Sequence, residues 1–181
     1  MIKIKNLTVK FEKTILENIN IEFNSGVYCI YAPSGRGKTT LLNAIAGLIK
    51  YKGEISVNGK ISYIFQEDRL LNWLSAKQNI MLVEPDEKTA LEYMNYLGIT
   101  EFQDKKAQEL SGGMKRRCAL VRGLSVDTDI YLLDEPFRAL DKVNAQKVRD
   151  IINEMATTKL FIIVTHNEED FELLNAKKIL L

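Results

Sequence analysis

Val27-Tyr28-Cys29-Ile30-Tyr31-Ala32-Pro33-Ser34-Gly35-Arg36-Gly37-Lys38-Thr39-Thr40 runs from an apolar strand, through a loop of small residues, into the start of a helix. That order is the context a phosphate-binding loop requires. Small residues let backbone N–H groups curl round a phosphate, and the helix N-terminus adds its partial positive charge. In such a loop Lys38 reaches the β- and γ-phosphates of a nucleotide, the Thr39 hydroxyl ligates magnesium, and Thr40 holds another phosphate oxygen. Gly-Lys-[Ser/Thr] alone arises by chance in roughly one chain in ten of this length, so the flanking strand and helix carry the reading.

Independent support lies further along. In Tyr131-Leu132-Leu133-Asp134-Glu135-Pro136 two carboxylates follow an apolar strand, at the edge where open α/β sheets bind ligands. There Asp134 reaches the magnesium shell and Glu135 polarises an attacking water as general base. Without the phosphate loop, Asp-Glu-Pro is only a solvated exit from a strand. His166, the single histidine, follows another apolar strand at the same predicted edge, which points to contact with a γ-phosphate. Asn167, with Glu168 and Glu169 behind it, is placed to cap a final helix. Leu110-Ser111-Gly112-Gly113-Met114 precedes a helical run from Lys115 to Leu124, with Ser111 as its N-cap. Such an end attracts phosphate, although ordinary capping needs no ligand. Lys115, Arg116 and Arg117 read as a solvated face.

Three runs are apolar throughout: Val27 to Tyr31, Ile130 to Leu133 and Leu160 to Val164. Continuous runs mark strands covered on both faces, as in a parallel sheet flanked by helices. Leu41, Leu42, Ile45 and Leu48 recur at helix spacing after the first run, with Gly47 or Gly53 as a stop. The N-terminal part differs, because Leu7, Val9 and Phe11 alternate, Ile19, Ile21 and Phe23 alternate again, and Asn24-Ser25-Gly26 supplies a turn. Phe11 is thereby a core residue of a strand and Gln66 a polar strand terminus. Ile55 and Val57, then Asn58-Gly59, then Ile61, Tyr63 and Phe65 read as a hairpin extending the same antiparallel sheet. From Asp68 to Val121 the pattern is mainly helical, with Pro85-Asp86 opening a segment that Gly98 closes. The expected fold is α/β: a mainly parallel sheet core, an N-terminal antiparallel β-subdomain and a helical insertion over about residues 68–121.

The chain of 181 residues, 46% apolar, carries enough for one cored domain spanning 1–181, and no repeat or linker divides it. Its 25 lysines and arginines nearly cancel 24 aspartates and glutamates, so no broad basic face offers itself to nucleic acid or anionic lipid. Cys29 and Cys118 lie in apolar stretches without metal-ligand spacing and read as reduced thiols of a cytosolic protein. The longest apolar runs fall far short of the ~20 residues a membrane-spanning helix needs. The N-terminal residues alternate and lack the apolar segment of a signal peptide.

These residues resemble the ATP-binding subunits of ABC transporters, from Phe11 to His166. Ala32 to Thr39 is similar to the Walker A loop, Gln66 to the Q-loop glutamine, and Leu110 to Met114 to the signature motif. Asp134 and Glu135 match the Walker B pair, Ala139-Leu140-Asp141 the D-loop, and His166 the switch histidine. The resemblance implies a P-loop NTPase fold and an ATP- and Mg²⁺-dependent ATPase. In it Phe11 stacks on adenine, and Ser34, Gly35, Arg36, Gly37, Lys38, Thr39 and Thr40 hold the phosphates. Glu135, His166 and Gln66 serve catalysis, and Thr39, Gln66 and Asp134 surround the metal. It further implies a head-to-tail pair with a second copy or a homologous subunit, in which Ser111, Gly112 and Gly113 of one copy touch the nucleotide of the other and Asp141 makes a dimer contact. Integral membrane permease subunits are the implied partners, and the implied location is cytoplasmic, peripheral on the cytoplasmic face of the membrane.

The segment Phe65 to Trp73 is similar to its counterpart in importers of nitrate, taurine and aliphatic sulfonates, so solute import is the expected task. Leu70, Leu71 and Trp73 either face a membrane subunit or fill the core of the helical part. Four positions depart from the family pattern: Ala32 for glycine, Met114 for glutamine, Arg138 for a small polar residue and Asn167 for aspartate. Ala32 strains the loop if its φ is positive. An ABC-type assembly or regulatory module acting on a soluble partner is the alternative. A small-molecule kinase or GTPase shares the phosphate loop but leaves Ser111 to Met114 and Asp141 without an account.

Overall fold

The computed structural model describes every residue except Ser34 and Glu84. Strands β1 (Ile2–Lys10) and β2 (Thr14–Phe23) pair antiparallel, as their alternation predicts, and β4 (Lys52–Val57) flanks β1 on its other side. The buried set in β1 changes parity, from Ile2 and Ile4 to Leu7 and Val9. The change falls at Asn6, whose φ of 51° marks a bulge, and the β1–β4 register shifts across the same stretch. Gly53 faces that bulge at φ 100°, where a β-carbon would lie 2.4 Å from the Asn6 carbonyl oxygen and 2.6 Å from that of Lys5. Gly53→Ala is therefore expected to destabilise the fold by about 1–3 kcal/mol, read as a lowered thermal midpoint. An unchanged midpoint would mean that the bulge relaxes freely.

The hairpin predicted through Asn58-Gly59 does not form. Strand β4 belongs to the antiparallel sheet, whereas β5 (Ile61–Ile64) pairs parallel with β6 (Ile130–Asp134) in a second sheet. The turn's backbone is held by other segments. Asn58 N–H donates to the Met1 carbonyl at 2.9 Å, and Lys60 N–H donates to the Asp129 carboxylate at 2.9 Å. Gly59, at φ 125°, is needed for close approach, because a β-carbon there would meet the Asp129 side chain at 2.7 Å.

The second sheet is parallel, in the order β5-β6-β7-β3-β8, with β3 (Gly26–Tyr31), β7 (Leu160–Val164) and β8 (Lys177–Leu180). Alternate residues of its central strands feed two cores. Tyr28, Ile30, Leu132, Ile162 and Val164 pack against the antiparallel sheet and helix α1 (Lys38–Ile45). Cys29, Tyr131, Leu133, Phe161 and Ile163 pack on the opposite face, against α2 (Ala76–Met81), α3 (Glu87–Tyr96), α4 (Gly112–Leu124) and α5 (Lys142–Met155). Burial on both faces is why these strands read as unbroken apolar runs.

Helix α1 ends where Gly47 turns left-handed at φ 70°, and the Gly47 and Leu48 amides close the last carbonyls. Leu48 thus falls beyond the helix and is exposed, contrary to its predicted helical place. Asp86 caps α3 and Gly98, at φ 63°, closes it, as expected. Between β5 and β6 the described residues form α2, α3, α4 and two short 3₁₀ turns, with one isolated bridge between Ser75 and Lys106. The last helix, α6 (Glu169–Leu173), begins after Glu168, while Asn167 Oδ1 accepts from the Glu169 amide at 3.2 Å. Both cysteines are free, and burial pushes each thiol up to about 12. Among the described residues no helix is long and apolar enough to cross a membrane.

Candidate active site

The carboxyl ends of β3, β6 and β7 share one rim, where a single cleft of about 380 Å³ is lined by Phe11, Gly35, Gly37, Lys38, Thr39, Thr40, Gln66, Asp134, Glu135 and His166. The loop that opens it depends on glycine. Gly35 and Gly37 stand at φ 78° and 87°, and a β-carbon on Gly37 would lie 2.8 Å from the Leu16 side chain. Ala32 is buried and is not among the residues with positive φ, so it adds no strain of that kind. Ser34, an expected phosphate ligand, lies outside the described residues. Arg36 is exposed and does not line the cleft.

Lys38 opens α1 and is buried, with its ammonium donating to the carbonyls of Ala32 at 2.6 Å and Pro33 at 3.3 Å. These bonds draw the amine across the mouth of the loop. The Thr39 hydroxyl donates to Asp134 Oδ2 at 2.7 Å, while Asp134 Oδ1 is buried without a partner. Burial pushes the Asp134 carboxyl above its ordinary range, against the Thr39 hydrogen bond.

Glu135 follows at φ 50°, and its amide prolongs the ladder by donating to the Val164 carbonyl at 2.9 Å. Its Oε1 lies 2.9 Å from His166 Nε2, with no aligned hydrogen bond between them. Burial raises the Glu135 carboxyl above its usual range, and the nearby His166 opposes that rise. Two carboxylates whose charge the site resists, each with a buried oxygen that lacks a hydrogen-bond partner, have the chemistry that fits a cation. Among the described residues no group of three His, Cys, Asp or Glu side chains could hold a metal. A cation here would therefore draw its other ligands from phosphate and water, the habit of Mg²⁺.

The sign of that resistance is testable. Because its pKa is raised in the fold, Asp134 favours folding at low pH and loses that contribution as pH rises through the raised value. Asp134→Asn is thus expected to raise the thermal midpoint of the nucleotide-free protein at pH 7. A lowered midpoint would show the charge to be stabilising.

Other predicted residues lie apart. Ser111, Gly112 and Gly113 sit at the start of α4, outside the cleft, with Ser111 Oγ accepting from the Met114 amide at 3.4 Å. Asp141 caps α5 by accepting from the Asn144 amide at 2.8 Å. Phe11 is no core residue: the chain turns after β1, with the Phe11 amide bonded to the Lys13 carbonyl, and the ring is 59% exposed at the cleft. Leu70 packs against the core, whereas Trp73 is 67% exposed, so the two readings of that segment divide between them. The run Lys115 to Arg117 is not a solvated face. Arg117 donates to the Leu97 carbonyl at 2.6 Å, and Arg116 is 2% exposed beneath the end of β6. The signal for Arg116 is its spacing, since it lies three and four residues before buried Ala119 and Leu120.

Comparison with known proteins gives the chain its family. The ABC transporter family profile matches residues 16–138. The taurine import ATP-binding protein TauB of Roseobacter denitrificans is 32% identical over 207 residues, covering 99% of this chain and 77% of that protein. The aliphatic sulfonates import ATP-binding protein SsuB of Bacillus subtilis is 35% identical over 176 residues, covering 88% of this chain and 69% of that one. The dimeric post-hydrolysis structure of the ATP-binding cassette MJ0796, bound to ADP and Pi, superposes with a TM-score of 0.88 at 28% identity, covering 100% of this chain and 94% of that one.

Proposed function

This chain belongs to the ABC transporter family and is an ATPase of that family, and from that premise we propose that two copies, or one copy and a homologous subunit, close head to tail on ATP and Mg²⁺ to drive solute import through membrane permease subunits. The observation that carries this reading is the single cleft that joins Lys38, Thr39, Asp134, Glu135 and His166. On this reading residues 1–181 act as one ATP-binding domain, at the cytoplasmic face of a membrane. Phe11 offers an exposed ring to adenine, and the backbone of Gly35 to Thr40 faces the phosphates. Lys38 exchanges its two carbonyls for phosphate oxygens, while Thr39, Gln66 and Asp134 would hold Mg²⁺. When bound, Mg²⁺ supplies positive charge to the β- and γ-phosphates.

Glu135 takes a proton from the attacking water, and His166 beside it contacts the γ-phosphate. Hydrolysis leaves ADP and phosphate. Ser111, Gly112 and Gly113 lie outside their own cleft, which suits them to complete the cleft of a second copy, with Asp141 at the shared contact. The dimeric cassette structures support that pairing. The imported solute is proposed to be a small sulfonate-bearing molecule, like the taurine and aliphatic sulfonates in the relatives' names.

On the segment that follows Gln66, the exposed Trp73 is the side chain proposed to face the permease. Tagged protein purified from detergent-solubilised membranes is expected to carry an integral membrane subunit with it. Recovery of a soluble complex alone would overturn the transport reading in favour of an assembly module.

A further inference from the structure

The Arg116 guanidinium spends all its donors on two segments of the site. Its Nε donates to the Pro136 carbonyl at 3.1 Å, and its Nη2 to those of Asp134 at 3.0 Å and Glu135 at 2.8 Å. Its Nη1 donates to the Phe65 carbonyl at 2.7 Å and to the Asp68 carboxylate at 3.4 Å. Three successive carbonyls at the exit of β6 thus converge on one cation, and the fourth belongs to the residue just before Gln66. Asp68 is the carboxylate with which it pairs, so peptide dipoles supply most of the charge's compensation. Only a planar fork with five N–H groups fills such a set of acceptors.

The backbone it grips is unusual. Glu135 stands at φ 50°, a left-handed conformation that a glutamate adopts rarely and that needs support from its surroundings. The direction of the Glu135 carbonyl, fixed by the 2.8 Å bond, sets the turn from which its carboxylate approaches His166.

We propose that Arg116 is a positioning residue for hydrolysis: it locks the left-handed turn at Glu135 and the loop bearing Gln66 into one frame, so that the Glu135 carboxylate is held at the water it activates. The inference rests on Glu135 being the general base.

The test is steady-state and single-turnover hydrolysis by Arg116→Gln and Arg116→Lys, each in the parental chain and in Glu135→Gln. Gln keeps two of the five donors, and Lys keeps the charge without the fork. Both are expected to lower kcat at least 10-fold while KM for ATP stays within about 3-fold, the mark of a loss confined to the transition state. In Glu135→Gln the same changes are expected to alter residual turnover by less than about 2-fold, because the group being positioned is gone. A folded Arg116→Gln with parental kcat overturns the inference, as does an equal loss in both backgrounds, which marks a scaffold role. If Arg116→Gln fails to fold, Arg116→Lys decides by the same criteria. Parental turnover in Glu135→Gln itself would instead remove the base assignment and leave Arg116 without a function to serve.

Discussion

Glu135→Gln is expected to lower ATP turnover by about 10²–10⁴-fold while leaving ATP binding intact, the span typical of a lost general base. Glutamine keeps the shape and the left-handed turn, so the loss reports the carboxylate and not the fold. Burial raises the Glu135 carboxyl above the ordinary glutamate range. A base works only when deprotonated, so parental activity should rise with pH through that raised value, and glutamine should abolish that limb. Replacing the charge also removes an anion that resists the arriving γ-phosphate. The ATP-bound variant is therefore expected to accumulate as a dimer, detectable by light scattering. Parental turnover, or a monomer at saturating ATP, would contradict the role.

Lys38→Ala is expected to weaken ATP binding by about 10–100-fold, the value of one or two hydrogen bonds to a charged group. Titration calorimetry on the nucleotide-free protein measures it. The ammonium already sits inside the loop, bonded to the Ala32 and Pro33 carbonyls, so it moves only a short way to reach a phosphate. Removing it also leaves the Ala32 carbonyl without that donor, which should lower the thermal midpoint slightly. Undiminished affinity would mean that the loop amides alone hold the nucleotide.

The candidate site residues are legible in the sequence because they terminate buried strands. Val27 to Tyr31, Ile130 to Leu133 and Leu160 to Val164 declare themselves by apolar continuity, and the polar groups that follow must emerge at the same edge of a parallel sheet. What stays hidden is non-local. Strands β4 and β5 alternate as a hairpin would, and only their partners, β1 and β6, assign them to different sheets. Phe11 keeps the parity of Leu7 and Val9, yet the strand ends one residue earlier and turns its ring outward. Arg116 hides between two basic neighbours, and the left-handed turn at Glu135 has no glycine to announce it. Ser111 and Asp141 show only their capping geometry in one copy, since the roles proposed for them need a second.

Lys38, Asp134 and His166, remote in sequence, are proposed to grip the tail of one nucleotide. A crystal structure of Glu135→Gln with ATP and Mg²⁺ decides whether they do. The γ-phosphate is expected within hydrogen-bonding distance of Lys38 and His166, with Thr39 and Asp134 beside the metal and Ser111 of the second copy on the opposite side. A nucleotide seated elsewhere, or phosphates that touch none of these side chains, would contradict it.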